Sequence, residues 1–382
     1  MNIFKSSTVV MDEKLAEITG MFDYRFDGTT EVSLGDTDDL PDRDGKWSLG
    51  VIVGASGSGK SSMAMEKYGF SPLPTWEPSK AVVSQVDHRR LSAVGFNSIR
   101  SWCKPRHVLS TGEGFRADAA ASLKSDACLD EWTSVVDRDV AVSCSNAAGK
   151  YIKKFGLRGV VLVTCHRDII PWLSPDWVYD TSKGLEWHAS PAPEIILSIE
   201  RCKSSEWWPL FSNHHYLDGG INPASECYLA KWGDRPVGFS ASLSFPSGSL
   251  KQAYRSHRLV VLPEFQGLGI GVRLSEHVAR LFLDRGKRYF VKTSHPRLGE
   301  YHDHSHQWRP TSKNRKDRKD YGRQSVTKES GYKHLHKNRV CYSHEFVGDF
   351  NEEAFWGRTS RSVGLSIKPA EETGFDEESF WG

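Results

Sequence analysis

The sequence predicts an α/β protein made of two successive domains. Near residue 51 and again near residue 258, a short apolar strand runs directly into a glycine-rich turn, and a stretch with helical character follows. Between these two patterns, residues 190–193 form a short proline-rich segment that is typical of a linker. The predicted organisation is a first domain over residues 1–188, a second domain over residues 189–345, and an acidic, flexible tail over residues 346–382.

The charges are distributed unevenly along a composition that is otherwise ordinary for a globular protein. Charged residues make up 26% and hydrophobic residues 38% of the 382 residues, and the net charge is +2. Residues 309–339 contain 11 Lys or Arg and 3 acids, residues 1–48 contain 11 acids and 5 bases, and residues 345–382 contain 9 acids and 3 bases. This pattern predicts a basic surface flanked by acidic segments.

The cysteines and the hydropathy restrict the compartment. The seven cysteines are spaced irregularly and form no CxxC pair, which argues against a disulfide framework or a zinc module and favours a reducing compartment, the cytoplasm. No apolar stretch follows a basic start at the N-terminus, and no window approaches the ~18 apolar residues of a membrane span. We therefore expect neither a signal peptide nor a membrane partner.

The first glycine-rich turn, residues 54–61, matches the phosphate-loop pattern G-x-x-x-x-G-K-S/T in full. The glycines let backbone N–H groups approach phosphates, and a helix over the following residues adds its positive end. In this pattern Lys60 bridges the β- and γ-phosphates of ATP, and the Ser61 hydroxyl ligates Mg²⁺. The residues predicted to bind the nucleotide are Gly54, Gly57, Ser58, Gly59, Lys60, Ser61 and Ser62.

Further segments follow the phosphate loop in a set order. Residues 81–85 are expected to form a strand ending in Gln85, and residues 109–113 are Leu-Ser-Thr-Gly-Glu. Residues 129–137 begin Leu-Asp-Glu, and residues 160–166 are expected to form a buried strand ending in His166. This order of Walker A, Q-loop, signature, Walker B, D-loop and H-loop resembles the ABC ATPase family over residues 20–185.

The ABC resemblance implies roles for individual residues. Asp130 holds Mg²⁺, Gln85 senses the metal and the γ-phosphate, Glu131 polarises the attacking water, and His166 contacts the γ-phosphate. Ser110 and Gly112 serve the nucleotide of the opposite subunit, so a head-to-tail homodimer through the ATPase domains is implied.

Two features depart from ABC transporters. The signature has Glu113 where most transporters have glutamine, which leaves the contact with the partner subunit in question. Only about 25 residues separate Gln85 from Ser110, whereas transporter ATPases have a longer helical subdomain there that docks a membrane partner. Transport is therefore the weaker interpretation.

The second domain contains the other glycine-rich turn. Before it, residues 207–217 are expected to form a helix or turn rich in aromatic side chains, and residues 227–243 a β-hairpin that turns at Gly233 and Asp234. An apolar strand over residues 258–262 then leads into Gln-Gly-Leu-Gly-Ile-Gly and an amphipathic run to residue 284. This segment resembles the acyl-CoA-binding motif of the GNAT superfamily.

The GNAT resemblance implies a site for acetyl-CoA or another acyl-CoA. The glycines allow the CoA pyrophosphate to approach a helix N-terminus whose dipole favours an anion. The residues predicted to bind the cofactor are Leu262, Gln266, Gly267, Gly269, Ile270 and Gly271.

Catalytic residues are predicted near the end of the next strand, residues 288–296. In GNAT folds this strand and the preceding one splay apart and the acyl thioester lies between them, which places Ser294 and His295 near the acyl donor. His295 is the expected proton acceptor, because neutral imidazole suits that task near pH 7, and Ser294 is expected to orient the thioester. His214 and Tyr216 are the alternatives. With Trp308, these residues resemble the phage Mom-type DNA-modification acyltransferases and their relatives fused to an ABC ATPase.

Three further patterns have two interpretations each. His302, His304 and His306 alternate and would share one face of a strand as metal ligands, or they belong to a polar surface loop. The basic segment 309–339 suits phosphate contacts and base stacking, with DNA preferred over RNA, or it is a solvated run of charge. The repeated Phe-Trp-Gly at residues 355–357 and 380–382 suggests docking of an unknown protein, or arises by chance.

Three functions remain open at this stage. The first is an acyltransferase that modifies nucleobases, with an ATPase that loads or remodels the substrate. The second is a DNA-maintenance ABC ATPase whose GNAT domain only senses acyl-CoA. The third is an acetyltransferase for proteins or small molecules with an ATP-driven switch. The basic segment favours the first two, and the intact acyl-CoA motif favours the first over the second.

Overall fold

A computed structural model describes residues 2–187, 192–216, 220–246, 250–318, 339–348 and 365–368. The chain divides into two compact units, one of residues 1–95 and 101–192 and the other of residues 96–100 and 193–382. The boundary predicted at residue 188 falls in a stretch outside the described residues.

The elements between residues 2 and 187 alternate strands with helices. The strands are β1 (Asn2–Thr8), β2 (Thr29–Asp36), β3 (Leu49–Val53), β4 (Cys128–Leu129), β5 (Val160–Thr164), β6 (Trp177–Asp180) and β7 (Gly184–Trp187). The helices are α1 (Glu13–Met21), α2 (Lys60–Tyr68), α3 (His88–Ala93), α4 (Ile99–Trp102), α5 (Thr111–Ser122), α6 (Arg138–Lys154) and α7 (Ile170–Leu173).

The main sheet of the first unit has the strand order β4-β5-β3-β6-β7. Its neighbours are parallel except for β6 and β7, which are antiparallel. Every residue of β3 and β5 is buried, as expected for apolar, β-branched strands covered on both faces. The predictions of a strand before the phosphate loop, a helix after it, and a buried strand before His166 are confirmed.

The strand predicted over residues 81–85 is wrong. These residues form a short 3₁₀ turn over Val82–Ser84, in which Val82 is fully buried while Val83 is exposed. The Gln85 side-chain amide bonds the backbone of Glu77 and Lys80, which holds the chain in a compact turn. The two adjacent valines have β propensity, but this local side-chain bonding overrides it.

The second unit is built mainly on one mixed sheet. Its strands are β8 (Ile195–Cys202), β9 (Glu226–Trp232), β10 (Arg235–Ser244), β11 (Ala253–Val261), β12 (Arg288–Thr293), β13 (Trp308–Pro310), β14 (Lys316–Arg318), β15 (Arg339–Phe346) and β16 (Leu365–Lys368). Its helices are α8 (Ser204–Ser212), α9 (Ile270–Asp284) and α10 (Pro296–His304). The strand order is β13-β15-β12-β11-β10-β9-β8-β16, with β14 paired to β15.

The β9–β10 hairpin turns at Gly233 and Asp234, as predicted, because Trp232 pairs with Arg235. Of the helix or turn expected in residues 207–217, the part up to Ser212 belongs to helix α8. Helix α9 confirms the amphipathic run that follows the second glycine-rich turn. The apolar side of α9 buries Leu274, Val278 and Phe282 at helical spacing.

Strands β11 and β12 separate after a short parallel ladder. The ladder pairs Ala253 with Arg288 and ends at the pair Arg255 and Phe290. Beyond that pair, β11 continues to Val261 alongside β10, while β12 continues to Thr293 alongside β15. The two strands therefore splay, as the GNAT resemblance implies, and the end of β11 leads into the glycine-rich turn.

Parts of the basic segment and most of the tail lie outside the described residues. Residues 319–338 of the basic segment and both Phe-Trp-Gly repeats are among them. Within the expected tail, the structure describes β16, which pairs in parallel with β8. Among the described helices, none has the length and apolar character that crossing a membrane requires.

Candidate functional sites

The phosphate loop connects β3 to α2 in a tight turn. A Cβ atom on Gly54 would lie 2.1 Å from Thr181 Oγ1 and 2.5 Å from Ser58 Oγ, so a larger residue does not fit there. Gly57 and Gly59 have φ angles of 78° and 83°, in the left-handed region that favours glycine. The turn therefore depends on glycine at all three positions.

The loop holds polar groups in a buried position at the start of α2. Lys60 is only 6% exposed, and its Nζ donates to the carbonyl oxygen of Ala55 across the loop at 3.2 Å. The Ser58 hydroxyl is buried and has no hydrogen-bond partner among the described residues. Buried donors of this kind are usually satisfied, so a phosphate oxygen bound in the loop fits the arrangement. Ser62 is the third residue of α2 and is half-buried.

Ser61 and Asp130 meet across 69 residues of sequence. The Ser61 hydroxyl donates to Asp130 Oδ1 at 3.1 Å, at the carboxyl end of β4. Two oxygens that occupy adjacent positions around an octahedral Mg²⁺ at about 2.0–2.1 Å are about 2.9 Å apart. The spacing of this pair therefore fits two of the three residues predicted at the metal, and the remaining positions suit water and phosphate oxygens.

Glu131 and the residues after it form a strained turn. Glu131 and Thr133 have φ angles of 53° and 68°, although neither is glycine. The backbone N–H of Glu131 donates to Asp130 Oδ1 at 2.8 Å. Thr133 is fully buried, and its hydroxyl lies 3.1 Å from His166 Nδ1. The turn thus links Asp130 and Glu131 to His166, a link through Thr133 that the sequence motifs did not indicate.

His166 follows β5 and lies close to the Glu131 turn. Burial first, and then the positive charge of Arg138, lower the pKa of His166. The neutral ring is therefore favoured at neutral pH. A neutral imidazole suits a reversible hydrogen bond to phosphate better than a permanently positive group does. Its backbone N–H donates to Thr164 Oγ1 at 3.1 Å, which fixes the start of the following turn.

Gln85 occupies a different environment from the one its predicted role requires. Its Oε1 accepts from the Glu77 N–H at 2.8 Å, and its Nε2 donates to the carbonyl oxygens of Glu77 and Lys80. A role as metal ligand requires these bonds to break, so that role stays a prediction.

Ser110 begins α5 with a reciprocal cap. The Ser110 hydroxyl accepts from the Glu113 N–H, and the Glu113 carboxylate accepts from the Ser110 N–H. Glu113 also accepts from the Ser101 hydroxyl. The acid at the place of the usual glutamine therefore has a structural function as the second half of a capping box. A Cβ atom on Gly112 would make an ordinary 3.4 Å contact with Val140, so space alone does not require glycine there.

The second glycine-rich turn connects β11 to α9. Gly267 and Gly269 have φ angles of 99° and 86°, and Gly269 is the N-cap of α9 without a side-chain cap. A Cβ atom on Gly271 would come within 3.2 Å of Val261, so only a small residue keeps α9 this close to β11. The first N–H groups of α9 are left without intrahelical partners, as at any helix start, and suit an anion such as a pyrophosphate.

The other residues predicted to bind the cofactor at this turn are held by packing in the core or by hydrogen bonds to the backbone. Ile270 is 1% exposed and belongs to the core. Leu262 is 9% exposed, and its N–H donates to the carbonyl oxygen of Val237. Gln266 donates through Nε2 to the carbonyl oxygen of Val261 and accepts from the N–H of Asn97, a residue of the same compact unit. Its side chain therefore shapes the loop.

Ser294 and His295 lie directly after β12, on the part of the chain that has left β11. The Ser294 hydroxyl lies 3.5 Å from Cys341 Sγ on β15, and the His295 N–H donates to Thr293 Oγ1 at 3.0 Å. His295 is the N-cap of α10, with its ring making no capping bond. Their catalytic roles stay predictions.

The residues after α8 differ in exposure from one to the next. His214 and Tyr216 are exposed, whereas His215 is 6% exposed and stacks on Tyr216 with 4.8 Å between ring centroids. His215 also influences His257 on β11, because its charge contributes to lowering the pKa of that ring. The catalytic roles predicted for His214 and Tyr216 stay predictions.

The three alternating histidines are neither strand residues nor members of one surface loop. His302 and His304 belong to α10, where residues two apart face different sides. His302 is fully buried against Trp308, and burial followed by the charge of His344 lowers its pKa to about 3. Among the described residues, no group of three or more His, Cys, Asp or Glu side chains is placed to hold a metal ion.

The described part of the basic segment already contains paired charges. Arg315 Nε donates to Asp303 Oδ2 at 2.8 Å, and Asp303 also accepts from His344. Arg315 is therefore held by a carboxylate, and a phosphate contact by Arg315, as predicted for the basic segment, requires this pair to open. Lys316 is exposed, the side chain of Arg318 is not described, and Lys319 lies outside the described residues.

Residues 187–303 match the model of the Acetyltransferase (GNAT) family. The second unit contains a GNAT domain. The match includes β11, the glycine-rich turn, α9 and β12, and it covers less than half of the chain. No curated protein matches the chain.

Solved structures of two kinds, acetyltransferases and ATP-binding cassettes, are similar to parts of the chain. An IAA acetyltransferase from Bacillus cereus has 18% identity and a TM-score of 0.30, and the alignment covers 39% of this chain and 98% of that one. The ribosomal-protein-S18-alanine N-acetyltransferase from Escherichia coli has 11% identity and a TM-score of 0.30, with 39% and 92% covered. An ATP-binding cassette, in a dimeric post-hydrolysis state bound to ADP and Pi, has 14% identity and a TM-score of 0.33, with 49% and 98% covered. Likenesses this distant carry no argument, so residue roles rest on this chain's own geometry.

Proposed function

We propose that this protein is an ATP hydrolase and an acyl-CoA-dependent N-acyltransferase in one chain. The proposal depends on one observation made in both units. In each unit a central strand leads into a helix that begins at a left-handed glycine, and the groups next to that helix suit the proposed reaction. In the first unit these groups are Lys60, Ser61, Asp130 and Glu131. In the second unit the helix stands where β11 has separated from β12.

In the first unit, the phosphate loop binds the phosphates of ATP, and Ser61 and Asp130 hold Mg²⁺. The metal supplies charge neutralisation at the phosphates when it is bound. Glu131 orients and polarises a water that attacks the γ-phosphorus, and the bond from that phosphorus to the bridging oxygen breaks. ADP and phosphate leave, and the proton that the water loses passes to the solvent. His166 holds a γ-phosphate oxygen. Ser110 and Gly112 at the start of α5 are the surface through which we propose a homodimer.

In the second unit, acetyl-CoA or another acyl-CoA binds with its pyrophosphate at the N-terminus of α9. The acceptor amine attacks the thioester carbonyl carbon, the C–S bond breaks, and CoA leaves as a thiolate that takes up a proton. The attacking nitrogen loses one proton, and His295 is the proposed acceptor for it, with His214 and Tyr216 as alternatives and Ser294 near the thioester.

The finer proposal is that the acceptor is a nucleobase, in DNA rather than RNA. It is supported by the 11 Lys or Arg in residues 309–339 and by the resemblance to Mom-type acyltransferases. A base has to leave its duplex to enter such a cleft, which costs a few kcal/mol. The seven cysteines are all free, which supports a reducing compartment such as the cytoplasm.

Two measurements test the proposal. Phosphate release from ATP with Mg²⁺ and calorimetry with acetyl-CoA test the two units separately, and absence of either activity removes that half. Mass spectrometry of nucleosides from cells that express the protein tests the acceptor. A mass-shifted nucleoside is expected. If acetyl-CoA binds without any transfer, the domain is a sensor, and if only proteins or small amines are acylated, the nucleobase acceptor is wrong.

A further inference from the structure

A β-bulge interrupts the pairing of β11 with β10 just after β11 separates from β12. Arg258 pairs with Ala241, and Ser256 pairs with Ser242, so His257 is an extra residue in β11. A bulge re-aims side chains that would otherwise alternate between the two faces of the sheet. The bulge therefore lies at the mouth of the gap between the two strands.

Arginine and histidine side chains surround the bulge. Burial first, and then the charges of Arg258, Arg255 and His215, lower the pKa of His257 to about 4. The pKa of Arg258 is also lowered, by burial in the first place. Among the described residues, no carboxylate forms an ion pair with Arg255 or Arg258, so this positive charge is not neutralised within the described chain.

Two donors in the cluster are buried and have no hydrogen-bond partner in the part of the chain that the structure describes. Arg258 Nη1 donates to the His257 carbonyl oxygen at 3.0 Å and lies 3.4 Å from His257 Nδ1. Because arginine has no acceptor, Nδ1 has to accept, and the neutral ring carries its proton on Nε2. Both His257 Nε2 and Arg258 Nε are buried without a hydrogen-bond partner among the described residues. Leaving two such donors unsatisfied destabilises the fold, and a bound acceptor group would offset that cost.

We propose that Arg258 and His257, with Arg255 at the rim, bind the oxyanion of the acyl acceptor, a carboxylate or phosphate group close to the attacking nitrogen. An arginine Nε–H and an imidazole N–H match the paired oxygens of such a group, and a charge-assisted bond is about twice as strong as a neutral one. The inference rests on the proposed transferase function, because this oxyanion is held beside the gap that the thioester is proposed to occupy.

The test is histidine NMR on the full chain, with the His257 resonance assigned by its loss in His257→Gln. Titration with inorganic phosphate is expected to give a saturable shift of the His257 Nε2 signal, and sodium chloride at equal ionic strength is expected to give none. Arg258→Gln should weaken phosphate binding about tenfold or more, as expected for a lost charge-assisted bond. Arg255→Gln, at an exposed position, should weaken it less, and the control Arg235→Gln should leave it unchanged.

Two further ligand pairs distinguish the source of the oxyanion. Saturation by deoxyadenosine monophosphate and not by glycine assigns a phosphate acceptor, and the opposite result assigns a carboxylate acceptor. Equal shifts with deoxyadenosine or methylamine, or no loss of affinity in either Arg258→Gln or Arg255→Gln, would overturn the proposal. If phosphate binds as described and calorimetry finds no affinity for acetyl-CoA, the anion site stands and the transferase function fails.

Discussion

Helices α2 and α9, one in each compact unit, begin in nearly the same way. Each follows a strand and a glycine-rich turn, and each has a left-handed glycine at its N-cap: Gly59 with φ 83° and Gly269 with φ 86°. Neither glycine supplies a side-chain cap. The first backbone N–H groups of both helices therefore remain for a ligand, and both helix dipoles favour an anion.

The side chains beside these two glycines differ. At α2, Lys60 and Ser61 follow the glycine directly, and Asp130 bonds Ser61. At α9, Ile270 and Gly271 follow, and the Ile270 side chain is packed into the core. We infer that the backbone turn supplies affinity for phosphate in both places, while the side chains decide whether that phosphate reacts or only anchors its molecule.

The largest expected effect is at Lys60. Lys60→Ala removes the charge next to the γ-phosphate, and ATP turnover should fall by about 10²–10³-fold, as for other lost electrostatic contacts to a transition state. Acetyl-CoA affinity should not change, because α9 has its own turn. Phosphate release and calorimetry measure the two effects. Unchanged turnover would remove the distinction between the two helices.

The next effect separates binding from hydrolysis within the first unit. Glu131→Gln keeps the shape of the side chain but removes the carboxylate, so turnover should fall about 10²-fold while ATP affinity is retained. The ATP-bound protein should then accumulate as a dimer in size-exclusion chromatography with light scattering. A monomer under these conditions, with ATP bound, would contradict the homodimer.

A smaller effect, on acetyl-CoA affinity, is expected at Gly269. Two variants separate the cost of the left-handed backbone from the effect of a negative charge. Gly269→Ala places a side chain in left-handed backbone, which costs about 1–2 kcal/mol, and acetyl-CoA affinity should fall up to about tenfold. Gly269→Asp adds a negative charge beside the pyrophosphate and should weaken binding about tenfold further. Calorimetry measures both. Equal affinity of the two variants would show that no anion binds at this helix end.

The smallest effect concerns pH and the buried histidines. The described histidines that are buried, His215, His302 and His344, all belong to the second unit. The pKa of His302 is lowered to about 3, so between pH 6.5 and 3 the unfolded chain binds a proton that the folded chain does not. Stability is therefore fully present above pH 6.5 and is lost as pH falls, by up to about 1.4 kcal/mol per pH unit.

His302→Leu should reduce this loss, because the variant has no imidazole to protonate on unfolding. Thermal unfolding of the wild type and the variant at pH 7 and pH 5 measures the difference, with the exposed His306→Leu as the matched control. The same slope in all three proteins would contradict the burial of His302.

Local features of both units were predictable from sequence. The strand, glycine turn and helix around residues 51–68, the β9–β10 hairpin, and the start of α9 follow from apolar periodicity and turn chemistry within a few residues. The wrong strand at residues 81–85 shows the limit of such reasoning, since the contacts of Gln85 with Glu77 and Lys80 outweigh the propensity of two valines.

The sequence by itself predicted which loops bind phosphate, because glycine positions and the Lys60-Ser61 pair carry that chemistry locally. Only the tertiary structure decided what surrounds them. It brings Asp130 to Ser61 across 69 residues, buries His302, and inserts His257 as an extra residue where β11 leaves β12. Such contacts depend on strand register and on packing between distant segments, which no short pattern encodes.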